Sequence, residues 1–243
     1  PFAALFAATC WVGSRFTSRA LGEVGARNNL SGKIVSAMAF GGFAGMLTSV
    51  RVGGFVVVGY APIALVIMLI LSRRSWSLSR IIELSFLCCV VLLSWMSVSV
   101  LLNPVSWSSP AQWFVEAVTY HVNHKWDGYV LAFGKYWFGQ DVPGYYLPAW
   151  FGITTPVLTL LSAVVGWIFS LFGLLKSNRR QQSIIVWLSL MAFGLPVVAI
   201  LKSSTLYDAV RQFLFVLPAI AVFSALGLAW LWEKLPKGKW RIG

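Results

Sequence analysis

Six apolar runs alternate with short clusters of basic residues, and that alternation constrains the fold more than any other feature of the chain. The runs cover approximately Ile34 to Val50, Phe55 to Ser72, Ile81 to Asn103, Ala149 to Leu175, Ser183 to Leu201 and Gln212 to Trp232. About 20 residues of helix are needed to cross a hydrocarbon core of about 30 Å, so most of these are long enough to span and the first two fall slightly short. The stretch Phe2 to Val12 reads as the tail of a further span. A soluble protein must cover its outside with polar groups. Here only 11% of residues are charged and 58% are hydrophobic, against about 25% charged in an ordinary soluble domain. Lipid is the solvent such a surface requires, and in lipid only helices or closed barrels satisfy the backbone. The expected fold is all-α: a polytopic transmembrane bundle of about six spans plus a partial N-terminal one, forming a single domain over 1–243.

The net charge of +12 would point to nucleic acid on a soluble domain. Its distribution gives it a different meaning. Four segments carry net +3 each: 13–33, 73–80, 176–180 and the tail beyond Trp232. The alternate connections hold Arg51 alone, net −1 over 104–147, and net +1 over 202–211. Fourteen of the nineteen basic residues therefore fall on one side, in strict alternation with the spans. The positive-inside rule makes that side cytoplasmic. A nucleic-acid partner is not expected, and the lipid bilayer is.

The 104–147 segment is the one long connection, and it is predicted to be an extracytoplasmic loop. Trp107, Trp113, Trp126 and Trp137 lie in it with several Tyr, Pro and Gly residues. Aromatic side chains at this density favour the membrane interface. Within it, Ala111 to Tyr120 has the pattern of an amphipathic helix lying on the surface.

Few residues could carry chemistry. Gly41 and Gly45 have the small-xxx-small spacing that lets helices approach closely, which signals packing. Arg51 follows Thr48-Ser49-Val50 and precedes Val52-Gly53-Gly54. Its guanidinium either binds a phosphate bidentately or snorkels to the interface. His121 and His124 have i, i+3 spacing with Asp127 nearby, but no third metal ligand accompanies them. These polar residues fit a cavity wall better than a metal site, and no metal is expected. Asp208 and Arg211, also i, i+3, read as a helix cap with an ion pair at the start of the last span. Arg211 can also face a phosphate-bearing ligand. Cys10, Cys88 and Cys89 read as packing residues. The sequence has no Walker loop, dinucleotide fingerprint, serine elbow or haem signature, so no cofactor is expected.

Three stretches resemble the C-terminal part of a GT-C type membrane glycosyltransferase of family 39. That family groups the dolichyl-phosphate-mannose protein mannosyltransferases with the aminoarabinose transferases. The first stretch is His124-Lys125-Trp126-Asp127-Gly128 with Gly134 ahead. The second is Pro143-Gly144-Tyr145-Tyr146-Leu147-Pro148 running into Ile153-Thr154-Thr155-Pro156. The third is Leu206-Tyr207-Asp208-Ala209-Val210-Arg211-Gln212-Phe213 continuing to Pro218. The resemblance implies hexosyl or pentosyl transfer from a polyprenyl-phosphate-linked sugar, on the extracytoplasmic side of a bacterial inner membrane. It implies donor-phosphate binding by Arg51 and Arg211, and a cavity wall that includes His121, His124, Asp127, Tyr207 and Asp208. In that family the catalytic carboxylate lies in a first external loop near the N-terminus. Here the chain opens on Pro1 inside an apolar run, so it reads as a fragment with that carboxylate outside it. The alternative expectation is a non-catalytic transmembrane subunit packed against other membrane subunits, and a transporter is third.

Overall fold

The computed structural model describes residues 1–22, 29–72, 77–122, 128–139, 141–206 and 208–234. Its helices are α1 (Phe2–Ala20), α2 (Leu30–Val50), α3 (Val56–Leu71), α4 (Leu78–Leu102) and α5 (Pro110–Val122). An antiparallel hairpin follows, β1 (Tyr129–Ala132) and β2 (Lys135–Phe138). The rest is α6 (Tyr146–Thr154), α7 (Val157–Gly173), α8 (Arg179–Ser189), α9 (Leu195–Leu201) and α10 (Leu217–Lys234). A π-helical turn, Leu190–Gly194, joins α8 to α9, and a 3-10 segment, Arg211–Val216, leads into α10.

Among the described residues, five stretches are long and apolar enough to cross a membrane: Leu30–Val50, Leu78–Leu102, Val157–Lys176, Arg179–Leu201 and Arg211–Lys234. The chain is accordingly a multi-pass membrane protein by length and composition. Helix α3 is apolar but has 16 residues, about 24 Å at 1.5 Å per residue. The outward faces agree with a lipid solvent. Leu93 is 66% exposed, Leu158 69% and Phe172 76%.

Local sequence sets the helix ends. Asn29 caps α2 by accepting from the Gly32 N–H at 3.2 Å. Asn178 and Gln181 form a reciprocal capping box at the start of α8. Pro156 forces Thr155 into extended backbone, and this splits the expected Ala149–Leu175 run into α6 and α7. Pro196 has no N–H to give to the turn before it, and the π-helical turn sits just upstream.

Packing sorts the connections to two ends. Lys33 Nζ meets Glu83 Oε1 at 2.6 Å, joining the start of α2 to the start of α4. The Arg179 guanidinium donates to the Leu21 carbonyl, joining the end of α1 to the start of α8. The pairs Ser162–Ser224, Gly166–Gly227 and Phe169–Trp230 keep a nearly constant offset, so α7 and α10 run parallel. Gly41 and Gly45 set α2 parallel to α4 in the same way. One end, hereafter the basic end, thus carries Arg19, Lys33, Arg80, Lys176, Arg179 and Lys234. The other, the aromatic end, carries Arg51, α5, the hairpin, α6 and the segments 202–206 and 208–216. Between them the core gathers on Trp187, which is 1% exposed and packs on Phe40 and Tyr60. Its N–H reaches Thr17 Oγ1 at 3.1 Å, and Thr17 in turn meets Ser183.

Three expectations change. Helix α1 continues through Arg15 and Arg19 to Ala20 where a loop from residue 13 was expected. The Arg15 side chain folds over the Trp11 ring at 4.9 Å, and this lets a charge sit on a helix within the bundle's apolar length. The 104–147 segment has a helix where one was expected, α5 over 111–120, but it also holds the 3-10 turn Pro104–Ser106 and the start of α6, which were not expected. The hairpin also adds two short strands to an otherwise helical chain.

Candidate functional site

At the aromatic end, Arg51 ends α2 with extended backbone, φ −155° and ψ 123°. Its N–H still donates to the Leu47 carbonyl at 3.1 Å, and its own carbonyl accepts from Gly54 at 2.8 Å. Gly54 packs on Leu47 so closely that a β-carbon there would lie 2.9 Å from the Leu47 backbone. Below this turn, Asn103 Nδ2 donates to Ser49 Oγ at 2.9 Å and Trp95 Nε1 to Thr48 Oγ1 at 2.9 Å. These bonds lash the ends of α2 and α4 together and hold Arg51 at the rim. The guanidinium is exposed and lies 6.0 Å from the Phe2 ring. No ion pair engages it among the described residues.

Phe2 connects Arg51 to the other predicted phosphate ligand. Its ring is 6.1 Å from Phe215, which meets the tilted Phe6 ring at 4.5 Å and lies 5.8 Å from Phe213. Phe213 and Phe215 belong to the 3-10 segment that Arg211 opens. Both arginines therefore stand at one end of the bundle, on either side of a phenylalanine cluster.

Asp208 and Arg211 do pair, at 3.8 Å, but both side chains are mostly exposed (55% and 80%), so the pair is worth little. The expected cap is absent. Val210 occupies the N-cap position without a side-chain bond, and Asp208 and Ala209 take φ of 57° and 54°. Two successive non-glycine residues in the left-handed region each cost on the order of 1–3 kcal/mol and must be held by their surroundings. Tyr146, 1% exposed, supplies one hold, because its hydroxyl accepts from the Ala209 N–H at 3.0 Å. The Leu206 N–H to the Gly139 carbonyl, 3.3 Å, ties the same loop to the hairpin.

Beneath this loop lies a cavity of about 310 Å³ between α6, α7, α9 and α10. Leu147, Trp167, Phe193, Pro196, Val216 and Phe223 represent its wall, which has no charged group and no hydroxyl. Val164, Phe193 and Val197 line it while remaining 43–53% exposed, so it reaches the lipid-facing surface. Val216, in that wall, closes the segment that Arg211 opens, which is kinked at Phe213.

His121 lies in the last turn of α5, and its side chain is not described. His124, Asp127 and Tyr207 fall outside the described residues. The structure thus brings Arg51, Asp208 and Arg211 to one end and adds Tyr146, Ala209 and the apolar cavity, none of which the sequence had singled out for a site. Polarity guided the choice of cavity-wall residues, and this cavity is apolar. No protein-family model matches the chain, and no curated protein and no solved structure matches it.

Proposed function

We propose that this chain is the lipid-donor part of a GT-C-like membrane glycosyltransferase that moves a sugar from a polyprenyl-phosphate donor on the extracytoplasmic side. The observation that carries the reading is an apolar cavity that reaches the lipid-facing surface, with Val216 in its wall at one end of the 3-10 segment that Arg211 opens. An isoprenoid chain needs a dry groove reachable from the bilayer, and its phosphate needs a cation where the groove meets the headgroups. Arg51 supplies a second cation at the same end. The arrangement of basic residues supports the sidedness, since the basic end carries most of the charge that the positive-inside rule assigns to the cytoplasm. The membrane is then a bacterial inner membrane.

Turnover of a polyprenyl-phosphate sugar by membranes carrying this protein tests the reading. Arg51→Ala, Arg211→Ala and the cavity-filling Ala163→Trp should each reduce transfer at least tenfold, the effect of about 1.4 kcal/mol, while leaving insertion intact. Unchanged turnover in all three removes the donor-site assignment. Absence of any transfer attributable to the protein leaves the non-catalytic subunit as the better account.

A further inference from the structure

We propose that the free face of the β1–β2 hairpin is a lipid-binding surface that seats the aromatic end of the bundle in the headgroup–acyl boundary of the bilayer. The register pairs Tyr129 with Phe138 and Leu131 with Tyr136, placing these four on one face. Val130 and Ala132 point the other way and are buried at 8% and 1%. A two-stranded sheet with one face docked normally shows polar residues on the other. Here the free face is Tyr129, Leu131 and Tyr136 at 70%, 56% and 74% exposure, and it is as apolar as the docked one. Water is a poor solvent for that face.

The turn gives an independent reason. Phe133 and Gly134 take φ of 52° and 77°, the two left-handed positions of a type I′ hairpin turn. Asn-Gly is the ordinary choice, and a bulky aromatic at the first position is strained. A phenylalanine kept at the tip despite that strain is explained if the ring has apolar surroundings to enter. Phe133 is 46% exposed, and its ring contacts Tyr145 at 5.8 Å and Trp150 at 6.3 Å.

Those contacts also identify the occupant. Tyr145 and Trp150 lead into α6 and α7, where Ile153, Val157 and Leu158 are 64–69% exposed on helix faces that already meet lipid. Through Phe133 the tip of the hairpin joins that surface at Tyr145 and Trp150, next to where α6 begins. Tyrosines at both ends of the face place hydroxyls where headgroup water begins, as aromatic side chains do in interfacial belts. A lipid surface fits all of these observations together. A stacked sugar would leave Leu131 unexplained, and a protein partner would leave the continuity with α6 and α7 unexplained.

Spin labels at Leu131→Cys and Tyr136→Cys, each in a Cys10→Ala, Cys88→Ala, Cys89→Ala background, report the environment of the full chain in phosphatidylcholine–phosphatidylglycerol liposomes. Collision with molecular oxygen measures lipid exposure, and collision with a water-soluble nickel chelate measures aqueous exposure. Both labels should show an oxygen-to-nickel ratio close to that at Leu158→Cys and well above that at Lys135→Cys, which lies on the same hairpin but on its other face. A ratio at both positions equal to that at Lys135 overturns the proposal. So does protection from both reagents, which would mean that another chain or a ligand covers the face. Two separately labelled positions guard against one substitution disturbing the strand.

Discussion

Gly166 and Gly227 face each other across the α7–α10 seam, each pressed against the other helix's backbone. A β-carbon at Gly166 would lie 1.9 Å from the Phe223 carbonyl oxygen, and one at Gly227 would lie 1.9 Å from that of Ser162. Neither oxygen belongs to a side chain that can turn aside. Gly166→Ala should therefore push the helices apart and cost about 1–3 kcal/mol, the range for overpacking. Gly59→Ala is the matched control, because nothing lies within 4 Å of a β-carbon there. It should be neutral or up to about 1 kcal/mol stabilising. Unfolding of the detergent-solubilised protein with increasing SDS measures both, and equal effects would show that the seam is not as tight as described.

The Lys33–Glu83 pair predicts an asymmetric pattern of losses. Lys33 is the more buried partner, with 12% of its side chain exposed against 35% for Glu83. Removing the carboxylate leaves an ammonium group enclosed without its counter-ion, and breaking a fully buried pair costs about 3–5 kcal/mol. Partial exposure of Glu83 lets water soften this, so Glu83→Gln should cost less than that range. Lys33→Met leaves only the better-hydrated group and should cost less again. The double variant should be more stable than Glu83→Gln alone, because no orphan charge remains. Additive losses in a double-mutant cycle would contradict the pairing.

Much of this architecture can be read in the sequence, and the exceptions have identifiable causes. Gly41 and Gly45 lie four apart on one helix, so a close helix contact there is legible, and the structure supplies α4 as the partner. The α7–α10 seam has the same chemistry with one glycine on each helix, and no single-helix spacing reveals it. The hairpin escapes because Tyr129-Val130-Leu131-Ala132 lacks polar alternation and its turn lacks Asn or Asp. Pro156 does announce the break between α6 and α7, but apolar residues on both sides mask it. At the site, the arginines stand out because charge is rare in this chain. The cavity does not, since its apolar wall comes from four helices whose residues look like any lipid-facing surface.

Sidedness has a direct test. Ser108 follows the short turn after α4 at the aromatic end, and Ser177 lies between α7 and α8 at the basic end. With Cys10, Cys88 and Cys89 replaced, Ser108→Cys should react with a membrane-impermeant maleimide added to intact cells. Ser177→Cys should react only after the membrane is opened. Labelling of both from the same side would mean that the bundle does not cross the bilayer as its alternating charge requires.

Phe133 separates the needs of the hairpin from those of the membrane. Asparagine tolerates the left-handed region and suits the first position of this turn, so Phe133→Asn relieves strain on the order of 1–3 kcal/mol at the tip. The same change removes the ring that contacts Tyr145 and Trp150, each such aromatic pair being worth about 0.5–1.5 kcal/mol. In detergent the two effects should nearly cancel, and hydrogen exchange at the β1–β2 amides should change little. In liposomes the ring's lipid contacts are lost as well, and exchange at those amides should rise. An identical response in detergent and in liposomes would show that the bilayer contributes nothing at the turn, and the strain at Phe133 would then need another explanation.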